Sequence, residues 1–165
     1  MILDRINSPK DLKGLTNDEL ISLCGEIREA LLKYMSVHGG HLGPNLGVIE
    51  MTVALHYVFD SPIDKFVFDV AHQCYTHKIL TGRKMSYIDP EKHGYVSGFT
   101  NPLESEHDIF EIGHTSTAAS LACGLAKGRD ILGGNENIIS IIGDGSLSGG
   151  EAYEGLNNIV ELGTN

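Results

Sequence analysis

The stretch Ile142-Gly143-Asp144-Gly145-Ser146-Leu147-Ser148-Gly149-Gly150 sets one carboxylate between two glycines, with hydroxyls just beyond. It follows Asn137–Ile142, whose β-branched residues predict a strand, and precedes a helical pattern over about 149–162. Glycine lets backbone N–H groups come close to a phosphate, and a helix N-terminus favours negative charge there. The glycine spacing approaches that of a dinucleotide-binding turn, but Asp144 would repel a pyrophosphate, which disfavours a nicotinamide-binding protein. A divalent cation reverses the argument. Asp144 then becomes a hard oxygen ligand to Mg²⁺, which in turn binds phosphate oxygens. Asp144, Gly145 and Ser146 therefore read as a metal–diphosphate turn; the alternative is a plain capped strand-to-helix turn.

Three further turns carry histidine next to glycine or within three residues of aspartate. In His38-Gly39-Gly40-His41-Leu42-Gly43-Pro44-Asn45, His41 stands between two predicted helices, and an imidazole transfers protons near neutral pH. A surface-loop histidine is the plainer reading of His41 alone. In Asp69-Val70-Ala71-His72-Gln73-Cys74-Tyr75-Thr76-His77-Lys78, His72 follows the other predicted strand, at the same sheet edge as Asp144. A zinc site from His72, Cys74 and His77 lacks a fourth ligand and a common spacing. In Ile112-Gly113-His114-Thr115-Ser116-Thr117, His114 and the hydroxyls after it suit an anion, while Thr115 or Ser116 also suits a helix cap. The recurrence of such turns predicts one histidine-rich, anion-binding crevice. His56, His93 and His107 read instead as structural or solvated.

These turns need elements to hold them. Residues 1–15 read as a loosely ordered lead-in. Thr16-Asn17-Asp18-Glu19 is a capping box, and Leu20, Cys24, Ile27, Leu31 and Met35 then form one apolar helix face that stops at Gly39-Gly40. Asn45 is placed to cap a second, well-buried helix over about 46–59. Lys65–Val70 reads as an interior parallel strand, followed by a short helix over about 73–82. Residues 84–112, with Pro90, Gly94, Gly98 and Pro102, read as a long irregular connection. A third helix over about 117–130 ends at Gly133-Gly134, and the strand 137–142 completes a right-handed βαβ unit. The predicted class is α/β, a parallel sheet with flanking helices. Two strands for five helices, with the chain ending at Asn165 after a helix, predict one partial domain over 1–165 of a longer polypeptide.

Composition bounds the function. The chain of 165 residues carries 12 Lys and Arg against 22 Asp and Glu, a net charge of −10, so a nucleic-acid partner is not expected. No apolar run approaches a membrane span, and Met1–Arg5 has no signal-peptide character. Three scattered cysteines, Cys24, Cys74 and Cys123, read as reduced thiols of a cytoplasmic protein.

The order and spacing of several blocks resemble 1-deoxy-D-xylulose-5-phosphate synthases, thiamine-diphosphate-dependent relatives of transketolase. These are Gly39-Gly40-His41-Leu42-Gly43, Phe68–Arg83 with its Asp-Val-x-His-Gln-x-Tyr-x-His-Lys core, Gly113-His114-Thr115-Ser116-Thr117 and Gly143-Asp144-Gly145. The resemblance runs over nearly the whole chain. It implies condensation of pyruvate with glyceraldehyde 3-phosphate, with release of CO₂, to give 1-deoxy-D-xylulose 5-phosphate for isoprenoid, thiamine and pyridoxal synthesis. It implies a diphosphate-binding domain, incomplete here, using thiamine diphosphate and Mg²⁺, and a homodimer when full length. By the same resemblance, Asp144 matches a Mg²⁺ ligand, while Gly145 and Ser146 match the backbone that holds the diphosphate. His72 and the Gly113, His114, Thr115 turn match further cofactor contacts, and His41 matches an active-site histidine that donates a proton or binds substrate.

Two groups that the resemblance calls for fall outside 1–165: an asparagine that completes the Mg²⁺ site, and the glutamate that activates the aminopyrimidine ring. Asn157 and Asn158 come too early in the chain. The segment Gly98–Asp108 keeps the family's Glu-Ser-Glu core but differs before it. The chain alone is therefore expected to be catalytically inert. Two alternatives remain: another transketolase-like enzyme, and a non-catalytic subunit of a split thiamine diphosphate enzyme.

Overall fold

The computed structural model describes residues 1–164; Asn165 lies outside the described residues. The chain forms two compact units, Met1–Asp60 with His72–Gly98, and Ser61–Ala71 with Phe99–Asn165.

The first unit is helical. Its longest element is α2, Asn17–His38, after the short α1, Ile2–Arg5. Thr16 and Glu19 close the expected capping box: Glu19 N–H donates to Thr16 Oγ1 at 3.3 Å, and Thr16 N–H donates to Glu19 Oε2 at 3.0 Å. Leu23, Cys24, Ile27, Leu31 and Met35 make the buried stripe of α2, which ends at Gly39 with φ 72°. The lead-in, expected to be loose, is ordered. Leu3 and Leu12 are fully buried, and the Glu26 carboxylate of α2 accepts from Ile2 N at 3.0 Å and Leu3 N at 2.7 Å. Glu26 thus satisfies two donors that a helix start leaves open. One helical turn is too short to leave a period in the sequence.

The helix expected over 46–59 starts later, as α4, Ile49–Val58, and a separate short helix, α3, Leu42–Leu46, precedes it. The helix expected over 73–82 is broken into α5, Tyr75–Lys78, and a wide turn through Ile79–Arg83. That turn bends at Thr81 and at Gly82, whose φ of 90° favours glycine. Residues 84–112, expected as one irregular connection, instead begin with α6, Met85–Ile88, and a short 3-10 turn, Pro90–Lys92.

The second unit is α/β. Strands β1, Lys65–Phe68, and β2, Ile138–Ile141, pair in parallel with Lys65 opposite Ile138 and Phe68 opposite Ile141. Helix α7, Ala118–Leu132, crosses between them, and α8, Gly150–Leu162, packs on α7. Val67, Ala118 and Ala122 form a core with Phe110, Ile112, Leu121, Leu125 and Ile138 around them. A Cβ on Gly155 would lie 2.8 Å from Ser120 N, so glycine there permits the close approach of α8 to α7. The strand expected to run to Val70 stops at Phe68. Val70 and Ala71 take φ values of 59° and 73°, a left-handed pair that ends the ladder. Residues 99–112 are irregular, tied internally by Thr100 Oγ1 to Phe110 O and by Asn101 N to the buried Asp108 carboxylate, each at 2.7 Å.

No described helix is long and apolar enough to cross a membrane. Cys24, Cys74 and Cys123 are all buried, and no disulfide joins them.

Candidate functional site

In the second unit, the site is built on Asp69, the residue after β1. Its backbone N–H continues the ladder to Ile141 O at 2.7 Å, which carries its side chain into the interior, where it is 1% exposed. The two carboxylate oxygens accept from Ser116 N and Ala118 N, each at 3.0 Å. Ala118 opens α7, so a buried aspartate from β1 caps this helix and meets its dipole. The cap expected from Thr115 or Ser116 is absent. The Ser116 hydroxyl instead donates to Ser146 O at 2.7 Å, and Ser116 holds φ 71° to do so.

That bond fastens the Gly143–Ser148 turn. Gly149 lies so close that a Cβ there would fall 2.0 Å from Ser116 Oγ. Gly143 and Gly145, by contrast, have nothing within 4 Å of an added Cβ. Asp144 is exposed, and so are Gly113, His114 and Thr115 just before the cap. The turn is therefore anchored through Ser116, Ser146 and Gly149, with an open carboxylate and open glycine backbone. Such a donor set fits a diphosphate bridged by Mg²⁺, which commonly uses one or two carboxylates together with phosphate oxygens. Among the described residues, no three His, Cys, Asp or Glu side chains converge on one point.

The histidine turns His41 and His72 belong to the first unit, where a different network holds them. Asn45 is fully buried. Its Nδ2 donates to His41 O at 2.7 Å and to His72 O at 2.9 Å, and its Oδ1 accepts from Tyr75 N at 2.9 Å. One amide thus clamps both histidine turns and the start of α5. Asn45 was expected to cap the next helix; it sits inside α3 and spends its side chain across the unit. The His41 and His72 rings meet edge to face at 5.1 Å between centroids. The Tyr75 hydroxyl lies 3.3 Å from His41 Nδ1, and burial pushes its ionisation above the usual phenol range.

The other histidines of the unit serve elsewhere. His56 and His77 are both fully buried and hydrogen-bond to each other at 2.9 Å, which occupies His77 in packing α4 against α5. His38 hydrogen-bonds to His93. In the second unit, His107 Nδ1 lies 2.8 Å from Ser61 Oγ. Lys78 is fully buried too, its ammonium donating to Ser97 O at 2.8 Å.

The structure thus brings His41 and His72 together in one unit, and Asp144, Gly145 and Ser146 next to Ser116 in the other. Sequence reasoning missed Asn45, Tyr75, Asp69 and Ser116 as the residues that hold these turns. A signal existed for Asp69: a charge directly after the apolar run Phe66-Val67-Phe68 must be exposed or partnered.

Comparison with known proteins bears on these same residues. Residues 3–165 match the family described as 1-deoxy-D-xylulose-5-phosphate synthase. The chain is 54% identical over 161 residues to 1-deoxy-D-xylulose-5-phosphate synthase 2 of Geobacter sulfurreducens, covering 98% of this chain and 26% of that protein. It is 51% identical over 164 residues to the 1-deoxy-D-xylulose-5-phosphate synthase of Dictyoglomus thermophilum, covering 99% and 26%. It is 54% identical over 159 residues to the Bacillus licheniformis protein of that name, covering 96% and 25%. The chain spans about a quarter of the length of these curated relatives. With its parallel β1–β2 pair and a family match running from residue 3 to residue 165, the chain belongs to the 1-deoxy-D-xylulose-5-phosphate synthase family, as its N-terminal part.

Proposed function

We propose that residues 1–165 are part of the diphosphate-binding domain of a thiamine-diphosphate-dependent transferase. The full-length protein condenses pyruvate with glyceraldehyde 3-phosphate, releases CO₂ and forms 1-deoxy-D-xylulose 5-phosphate, a precursor for isoprenoids. It works as a cytoplasmic homodimer. The observation that carries this reading is the Gly143–Ser146 turn at the C-terminal end of β2, where open α/β sheets bind ligands. Asp144 stands exposed there on an anchored backbone.

Each residue has a role within that reading. Asp144 holds Mg²⁺, and Gly145 and Ser146 offer backbone N–H groups to the diphosphate. Gly113, His114 and Thr115 offer a second exposed turn for the cofactor. His72 contacts the cofactor, and His41 delivers a proton to substrate or orients it. When bound, thiamine diphosphate supplies the carbanion that adds to the 2-oxo acid. The chain's own residues bind and orient; they do not by themselves provide that nucleophile.

The test uses the full-length polypeptide that carries this chain. Asp144→Ala is expected to remove retention of thiamine diphosphate at micromolar cofactor and to lower turnover of pyruvate with glyceraldehyde 3-phosphate at least 100-fold. The thermal midpoint should stay close to that of the parent, because the side chain is exposed. Undiminished turnover in Asp144→Ala would sink the assignment. A parent enzyme that prefers another 2-oxo acid or ketose would point to a different transketolase-type reaction.

A further inference from the structure

One contact in the first unit has chemical content beyond holding the fold. The Tyr75 hydroxyl lies 3.5 Å from the His41 backbone nitrogen, whose N–H donates to it, and 3.3 Å from His41 Nδ1. A phenol carries one proton. Its oxygen accepts from the amide, and donation of its own proton to Nδ1 makes Nδ1 the unprotonated, accepting nitrogen. A neutral imidazole protonated at one nitrogen only carries its proton at Nε2.

The surroundings keep the hydroxyl there. A Cβ on Gly40 would approach the Tyr75 oxygen to 3.0 Å, and one on Gly98 would approach it to 3.4 Å. Gly40 also holds φ 121°, which a side chain would strain. Gly40 therefore lets its backbone close in on the phenol oxygen where a side chain would crowd it, while Gly98 lies at ordinary contact distance. Asn45 fixes the other ends of the contact, accepting from Tyr75 N and donating to His41 O. Ring and phenol are thus held to one buried amide. The raised ionisation of Tyr75, caused by burial, keeps the phenol a donor at neutral pH.

We propose that Tyr75 is a positioning residue that holds His41 in the tautomer with its proton on Nε2. His41 then carries its donor proton on Nε2, and its Nδ1 is held by the phenol. This deepens the role proposed above for His41 and rests on that reading wherever turnover is the readout.

The test is a double-mutant cycle in the full-length polypeptide that carries this chain. Tyr75→Phe is expected to lower kcat about tenfold with KM changed less than twofold, since an interaction felt only in the reaction step moves kcat. In a His41→Asn background, Tyr75→Phe should change kcat less than twofold. An equal loss in both backgrounds would overturn the proposal, because Tyr75 would then act by packing or directly on substrate. Full turnover in His41→Asn alone would instead reject the catalytic role of His41. The tautomer has its own readout, which requires no variant: the imidazole ¹⁵N resonances of histidine-labelled wild-type protein. An acceptor-type Nδ1 and a protonated Nε2 for His41 support the proposal, and the reverse pattern overturns it.

Discussion

Asn45 concentrates three hydrogen bonds on one fully buried amide, and their partners are the two histidine turns and the first residue of α5. A buried hydrogen bond contributes about 1 kcal/mol net, and a buried group left without its partner costs about 1–3 kcal/mol. Asn45→Ala should therefore destabilise the chain by about 2–4 kcal/mol, read as a shift of the urea midpoint at unchanged slope. Asn45→Asp separates this from simple loss of volume. It keeps an acceptor for Tyr75 N but sets a carboxylate against the carbonyl oxygens of His41 and His72. At neutral pH it should destabilise at least as much as alanine. Its stability should recover as the pH falls and the carboxyl gains a proton, because the protonated form can donate again. A neutral-pH Asn45→Asp protein as stable as the parent would mean that the clamp contributes little. Lys78 makes a related point. An ammonium that is fully buried needs partners, and Ser97 O is one of them, so a charge within the apolar part of the Phe68–Arg83 block is built into the fold.

At the scale of elements, the second unit turns on how β1, the start of α7 and the turn after β2 are locked together. Asp69 caps α7, Ser116 ties that cap to Ser146, and Gly149 leaves room for the tie. Gly149→Ala places a methyl group on the Ser116 hydroxyl and should cost about 2–3 kcal/mol, within the range for overpacking a tight contact. Ser116→Gly relieves the left-handed backbone at φ 71° but loses one hydrogen bond, so alone it should be nearly neutral. In the Ser116→Gly background, Gly149→Ala should cost less than 1 kcal/mol, a coupling that denaturant unfolding of the four proteins measures. Equal costs in both backgrounds would place the clash elsewhere. This lock also marks what was legible in the sequence. The capping box at Thr16, the long helix up to Gly39, both strands, α7 and α8 all follow from periodicity and turn chemistry. The breaks at Gly47–Val48 and at Thr81–Gly82 do not, because an apolar run reads alike whether it is one helix or two. Asn45 and Ser116 were legible only as local caps. Their side chains instead reach residues about 30 positions away, and no local rule anticipates such a partner.

At the scale of the whole molecule, the residues proposed to bind the cofactor cover only part of what the reaction needs. On the reading proposed above, Asp144, Gly145 and Ser146 would address the diphosphate, while the glutamate that activates the aminopyrimidine ring and the asparagine that completes the Mg²⁺ site are expected beyond residue 165. The chain covers 26% of its Geobacter relative, which leaves ample length for both. Rate enhancement in such enzymes depends on holding reacting groups in a fixed near-attack geometry, an effect of about 7–11 kcal/mol in favourable cases. A cofactor held by its diphosphate alone lacks that geometry. We therefore expect the purified 165-residue chain, given thiamine diphosphate and Mg²⁺, to release no CO₂ from pyruvate above a protein-free blank, with or without glyceraldehyde 3-phosphate. Binding and catalysis can be read separately. A bound ligand at about 100 times its dissociation constant adds about 2.7 kcal/mol of stability, so a rise in the thermal midpoint with cofactor would report the diphosphate turn even without turnover. That rise should vanish in Asp144→Ala. Adding the remaining part of the polypeptide as a separate chain should restore CO₂ release if the two portions assemble. Measurable carboligation by the 165-residue chain alone would show that the activating groups lie within it, and the division of labour argued here would fall.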